Sequence, residues 1–408
     1  MVGNARLLKD INRKLIINEI RRNAPISRAE IIEKTGLALP TVLRNINALI
    51  EEGYVFEVGK GESLSGRKPI MLEICPNAAR IIGISVGACL EVVLADYKGG
   101  LLDAVVDYEV SDEDNLPEEI AKHAYEIVGK ILEKHHLEAK DIAGVGIGTP
   151  GFNFKIGKHA TPQYFRTAWA GRDRDPYACF HENFSAFPNV LLEHFPICGA
   201  LGEQWFGKTE RFQNSIYITV GTGVGSGIII DGKVYGGKDG FAGHIGHTVV
   251  DPSGIECYCG NRGCLETFTG IPYIIDACVD KIKSGLPSSL TERFKNDDTA
   301  ITLSMIAQEA ENRDALCQEV LINAGEILGL SIANAINTLN PDVVVLSGMV
   351  VWQSKIFAEK AIACAYEHVF SNKARELEII ISDIHTHVEA QGAVALVLSE
   401  LYRKPTIT

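Results

Sequence analysis

The sequence predicts an α/β protein in two parts: a small N-terminal winged helix-turn-helix, then an actin-like (ribonuclease H-like) body of two similar lobes facing a cleft. Three observations carry this. Within the first 75 residues, three helix signals precede two strand signals around a basic, glycine-rich tip. From about residue 80 an order of strands, helix and strand appears, and a similar order recurs from residue 215. The 408 residues, 46% hydrophobic and 22% charged, suffice for two or three soluble globular units with sizeable cores.

In the head, Leu7, Leu8, Ile11, Leu15, Ile16 and Ile20 recur at helical spacing, and Pro25 closes that segment. Ser27-Arg28-Ala29-Glu30 reads as a capping box opening a second, short helix, which Gly36 stops. A third helix starts near Pro40, where proline suits the first turn, and runs to about Glu52. Residues 55–58 and 70–74 read as strands around the tip from Gly59 to Pro69. In such a motif the second helix of the pair enters the major groove by its N-terminal residues. That nominates Pro40, Thr41, Arg44 and Asn45 as contacts to double-stranded DNA, with Arg28 on the preceding helix and Arg67 and Lys68 of the wing reaching phosphate or minor groove. Charge agrees: residues 1–70 hold 12 Lys and Arg against 8 Asp and Glu, while the remainder holds 27 against 44. An acidic body confines polyanion contact to the head.

In the body, residues 81–86, 91–95 and 101–108 read as strands, followed by a helix from 117 to about 135 and a buried strand at 142–147 that ends in Gly148-Thr149-Pro150-Gly151. The second copy has a strand at 215–220, a glycine-rich loop at 221–227, a strand at 228–230, a helix at 324–339 and a strand at 343–346. The expected division is a head over 1–75, a first lobe over 80–200 completed by 385–408, and a second lobe over 201–384.

Cys257, Cys259 and Cys264 fall within eight residues, ten positions after His247. Three thiolates and an imidazole make a closed tetrahedral donor set for one structural Zn²⁺ per chain, and Gly254, Gly260 and Gly263 let a short loop fold around it. The alternative is three free thiols beside a surface histidine; the clustering favours zinc. The other seven of the ten cysteines are scattered singly, which points to a reducing compartment. No signal segment or membrane-length apolar run stands out, so a cytoplasmic protein is expected.

The winged helix, the 221–227 loop, the cysteine cluster with its trailing Leu265-Glu266, and the run from Ile332-Ala333-Asn334 through Asn340-Pro341 to Gly348 together resemble a full-length regulator of the ROK family (repressors, open reading frames and sugar kinases). The resemblance implies a homodimer or homotetramer, a palindromic operator, and control by a sugar or sugar phosphate in the cleft, with the regulator more often a repressor. It also implies that Gly148, Pro150, Gly151, Glu193, His247 and Glu266 sit at ligand-contacting positions. The chain departs from the family pattern at His194, where an asparagine is usual, and at His244, where a glutamate is usual. Those imidazoles suggest a pocket retuned toward an acidic or phosphorylated ligand; a vestigial pocket is the alternative. In the family's kinases the general base is an aspartate at the position of Phe195, and a phenyl ring takes no proton. The kinases' first phosphate loop, Asp-x-Gly, is Ser85-Val86-Gly87 here. A regulator without kinase activity is the expectation, and an ATP-dependent sugar kinase with a regulatory head is the alternative. Tyr164 and Trp169 are suited to packing on a sugar face; ordinary core or lid packing is the alternative.

Overall fold

The computed structural model describes residues 5–61, 68–87, 89–110, 116–149, 176–296, 301–384 and 387–402. The head comprises α1 (Ala5–Asn23), β1 (Ile26–Ser27), α2 (Arg28–Thr35), α3 (Leu39–Glu51), β2 (Val55–Lys60) and β3 (Ile70–Ile74), with the strands in the order β1-β3-β2. The capping box forms: the Glu30 N–H donates to Ser27 Oγ, and the Ser27 N–H donates to Glu30 Oε2 at 2.8 Å. Gly36 ends α2 at φ 66°, a conformation that glycine adopts without strain. Ile16, Ile20, Ile31, Val42, Ile46, Leu49 and Leu72 are fully buried and form the head's core.

The first lobe has β4 (Arg80–Val86), β5 (Leu90–Asp96), β6 (Leu101–Asp107), α4 (Pro117–Lys134), β7 (Ile142–Thr149), α5 (Pro176–Asn183) and β8 (Val190–His194). Helix α6 (Phe195–Phe206) leads to the second lobe: β9 (Ser215–Val220), β10 (Val224–Ile230), β11 (Lys233–Val234), α7 (Glu266–Thr269), α8 (Ile271–Lys283), α9 (Thr291–Asn296), α10 (Leu303–Glu311), α11 (Ala315–Leu339), β12 (Val343–Ser347), α12 (Met349–Gln353), α13 (Lys355–His368) and β13 (Glu378–Ile381). The chain returns to the first lobe as α14 (Val388–Tyr402). The two sheets run β6-β5-β4-β7-β8 and β11-β10-β9-β12-β13. Numbered within each lobe, both orders are 3-2-1-4-5, with an antiparallel meander joined to parallel strands. The expected duplication is therefore present strand for strand.

Helices α6 and α14 pack against each other between the sheets. A Cβ on Gly392 would lie 2.1 Å from the Cys198 carbonyl, and Cβ atoms on Gly83 and Gly146 would meet the Ala390 and Ala393 carbonyls at 2.2 and 1.9 Å. These glycines let α14 lie directly on β4 and β7. Helix α6 also packs on the other lobe, through Pro196 against β10, so the division expected between residues 200 and 201 falls inside a helix that serves both sheets.

The segment 221–227 is a loop only as far as Gly223; β10 already begins at Val224. The physical reason is packing. Cβ atoms at Gly225 and Gly227 would come 2.5 Å from Pro196 Cγ and 2.2 Å from its carbonyl oxygen, whereas one at Gly221 meets nothing within 4 Å. Gly227→Ala is expected to destabilise the protein by roughly 2 kcal/mol, lowering Tm by about 4–8 °C. Gly221→Ala should leave Tm nearly unchanged, and thermal melts of the two variants check the contrast.

Among the described residues, one helix is long and apolar enough to cross a membrane, α11; its buried face lies in the second lobe's core. It begins earlier than its apolar pattern suggests because Asp314 caps it, accepting from the Cys317 N–H at 2.9 Å.

The head is seated on the two central helices. Arg21 of α1 places its guanidinium 4.1 Å from the Trp205 ring centroid, at the end of α6, and Asn18 Nδ2 donates to the Tyr402 carbonyl of α14 at 2.7 Å.

Candidate functional site

The solvent side of α3 carries Leu39, Pro40, Leu43, Arg44 and Asn47, with Thr41 half-buried beside them. Pro40 and Arg44 thus stand where a recognition helix presents its base-reading side chains. Asn45 does not. It is buried at 3% exposure on the seam with Val42, Ile46 and Leu49, and its Nδ2 donates to the Thr41 carbonyl at 2.8 Å. Asn47, one helical step beyond Arg44, is the exposed amide instead; the 40, 44, 47 spacing was the available signal. Arg28 pairs with Glu57 of β2 at 2.9 Å, which ties α2 to the wing strand. Lys68 is exposed, while Arg67 lies outside the described residues.

The cysteine loop closes on itself. Bridges Val249↔Cys264 and Glu256↔Arg262 hold its limbs, and the Cys257 N–H donates to the Asn261 carbonyl at 2.8 Å. Gly263, at φ 68°, passes so close to Asp251 that a Cβ would sit 1.5 Å from its carbonyl oxygen. As a result the ligand atoms of His247, Cys257, Cys259 and Cys264 lie within 4.8 Å of one another. Cys259 and Cys264 Sγ are 3.6 Å apart, and Cys257 Sγ is 3.7 Å from His247 Nδ1. A tetrahedral zinc with bonds of about 2.0–2.3 Å demands edges of roughly 3.5–3.8 Å, so the donor set fits such an ion. Burial and the neighbouring thiols raise the Cys257 and Cys264 pKa values, a cost that a divalent cation would offset.

Across the cleft, the C-terminal ends of β4, β7 and β8 lie side by side, with Ser85 opposite Gly148 and Gly148 opposite Glu193. His194 follows Glu193 and stacks on His244 of the second lobe (centroids 5.7 Å, 8° between planes). His244 in turn lies 6.3 Å from His247 at 25°. The structure thus brings Gly148, Glu193, His194, His244, His247 and Glu266 to one cleft; Pro150, Gly151, Tyr164 and Trp169 lie outside the described residues. His244 Nδ1 donates to the Phe241 carbonyl at 3.0 Å, leaving Nε2 as an acceptor.

Burial pushes His194 down to about 3 and lowers His244 and His247, so these rings are neutral near pH 7. Burial also raises Glu193. Glu266, buried at the start of α7, is pushed up to about 7 by desolvation, against hydrogen bonds from the Val224 N–H (2.8 Å) and Tyr258. The acidic or phosphorylated ligand expected from these histidines would have to raise their pKa values on binding, whereas neutral rings need no such shift to meet a hydroxyl. They suit hydroxyl groups, which both donate and accept.

Phe195 fills the remaining corner. A Cβ on Gly87 would be 3.1 Å from its Cζ, and one on Gly148 would be 3.4 Å from its Cδ1. The ring therefore stands between Gly87 and the end of β7.

A winged-helix head on a two-lobe body, with a Cys₃His loop at the cleft, defines a class: a transcriptional regulator built on a sugar-kinase-like domain. Comparison with known proteins makes the class particular. The ROK family model matches residues 87–270 and 275–400, and a winged helix-turn-helix DNA-binding model matches residues 9–55. The chain belongs to the ROK family. A xylose repressor from Caldicellulosiruptor bescii is 30% identical over 99% of both chains. An N-acetylglucosamine repressor from Escherichia coli O157:H7 is 29% identical over 97% of this chain and 94% of its own length. A crystal structure of a ROK family transcriptional regulator, a homolog of the E. coli Mlc protein, superposes with a TM-score of 0.80 at 25% identity, covering 97% of each chain.

Proposed function

We propose that the protein is a cytoplasmic repressor of carbohydrate genes, a homodimer or homotetramer that binds a palindromic operator and responds to a neutral sugar in the interlobe cleft. The full-length likeness to proteins named xylose repressor and N-acetylglucosamine repressor supports the repressor reading. The observation that carries the effector reading is the cleft itself. Among its described residues stand three imidazoles and two carboxyls, groups that pair with hydroxyls by donating and accepting hydrogen bonds. One zinc per chain, held by His247, Cys257, Cys259 and Cys264, would fix the His247 ring and the loop that carries Glu266.

Helix α6 offers the physical link between cleft and head. Its first residue, Phe195, adjoins the pocket, and Trp205 in its last turn holds Arg21 of α1. A sugar that favours one spacing of the lobes would shift this rod and, with it, the separation of two recognition helices on an operator.

The kinase alternative draws on the fold and on the glycine turn at 221–223. Phe195 opposes it, both as a residue without a base and as a ring packed against Gly87. Incubation of the purified protein with labelled ATP and D-xylose, D-glucose or N-acetylglucosamine is expected to yield no sugar phosphate. Turnover with any of them would overturn the assignment.

A further inference from the structure

One hydroxyl at the ligand-contacting edge of the cleft belongs to the protein. Tyr258, between Cys257 and Cys259, stands edge-on to His247 with centroids 5.1 Å apart and planes at 86°. Its Oη lies 3.1 Å from His247 Nε2 and is in hydrogen-bonding contact with the Glu266 carboxylate. The roles follow from the ring's other nitrogen. Nδ1 faces the thiols, 3.7 Å from Cys257 Sγ, so a zinc held there would leave the proton on Nε2, which would donate to Oη. The phenol then donates to Glu266, whose Oε2 already accepts from the Val224 N–H at 2.8 Å. Every group in this chain of bonds is satisfied, and Oη both accepts and donates, as a sugar hydroxyl would.

We propose that Tyr258 is a built-in competitor: its hydroxyl occupies the ligand-contacting edges of His247 and Glu266, and a sugar binds by turning the phenol out and replacing it. The inference rests on the reading of this cleft as a sugar site. It makes Tyr258 a determinant of affinity, because the apparent dissociation constant rises as the fraction of molecules with the phenol turned out falls. It also sets a requirement on the ligand, which must present a hydroxyl able to donate to Glu266 while accepting from His247.

Calorimetric titration of the full-length, zinc-loaded protein with D-xylose, D-glucose and N-acetylglucosamine tests this, comparing wild type with Tyr258→Phe and Tyr258→Ala. Tyr258→Phe removes one oxygen and frees both partners. It is expected to bind its preferred sugar about tenfold more tightly, the size of effect for two hydrogen bonds no longer in competition. Unchanged or weaker binding in a variant that keeps its zinc and melting temperature would overturn the inference while leaving the sugar site in place. If no variant binds any sugar while the wild type binds its operator, both the inference and the effector reading fall. A second measurement needs no variant. Wild-type protein labelled with 3-fluorotyrosine at its 12 tyrosines should show one resonance moving to a solvent-exposed position at sugar saturation. A spectrum unchanged at saturation contradicts the proposal.

Discussion

Arg44→Ala is expected to weaken operator binding by about 1–3 kcal/mol, roughly 5- to 150-fold, with Tm unchanged. Arg44 is exposed on the outer face of α3, one turn beyond Pro40, so its loss removes a contact to DNA and nothing from the head's core. Asn45→Ala supplies the contrast. Its amide is buried and bonded to the Thr41 carbonyl, so the substitution should cost about 1 kcal/mol of stability. Its effect on binding should follow the loss of folded head and show no change in base preference. Asn47→Ala should resemble Arg44→Ala in leaving Tm intact. Gel-shift titrations and thermal melts of the three variants separate the contact face from the core face. If Arg44→Ala binds like wild type, α3 is not the reading helix.

Cys264→Ser is expected to abolish stoichiometric zinc and to lower the second lobe's Tm by about 4–8 °C, on the order of 2 kcal/mol for a unit of about 180 residues. Cys264 is fully buried, its strand bridge to Val249 closes the loop, and Glu266 follows two residues later. Losing this donor would unfix both the metal set and the carboxyl that faces the cleft, so the sugar response should vanish with the zinc. Elemental analysis, melting curves and sugar titration on one preparation measure all three. Full zinc content in the variant would show that the four residues are not the donor set.

Much of this organisation was legible in the sequence, for reasons that differ by element. The head followed from local rules. Ser27 and Glu30 cap a helix wherever the chain permits, Gly36 ends it at positive φ, and the apolar spacing of α1 and α3 marks the buried seam. That same seam misled at Asn45, because a polar residue can satisfy its amide on the preceding turn and sit inward. The cysteine loop was legible because three thiols in eight residues have few other uses. The lobes were legible as a repeated strand order, and their sheets repeat it strand for strand.

Long-range packing was not legible. Gly225 and Gly227 resemble a phosphate loop until Pro196, some thirty residues upstream, is laid against them. The neutral state of His194 and the place of the Tyr258 hydroxyl depend on what surrounds them in space.

Repressor function is tested most directly by selection of genomic DNA fragments with the purified full-length protein, followed by sequencing. A few sharply enriched palindromic sites beside carbohydrate genes are expected. No enrichment above background at low salt, with zinc present, would contradict that function.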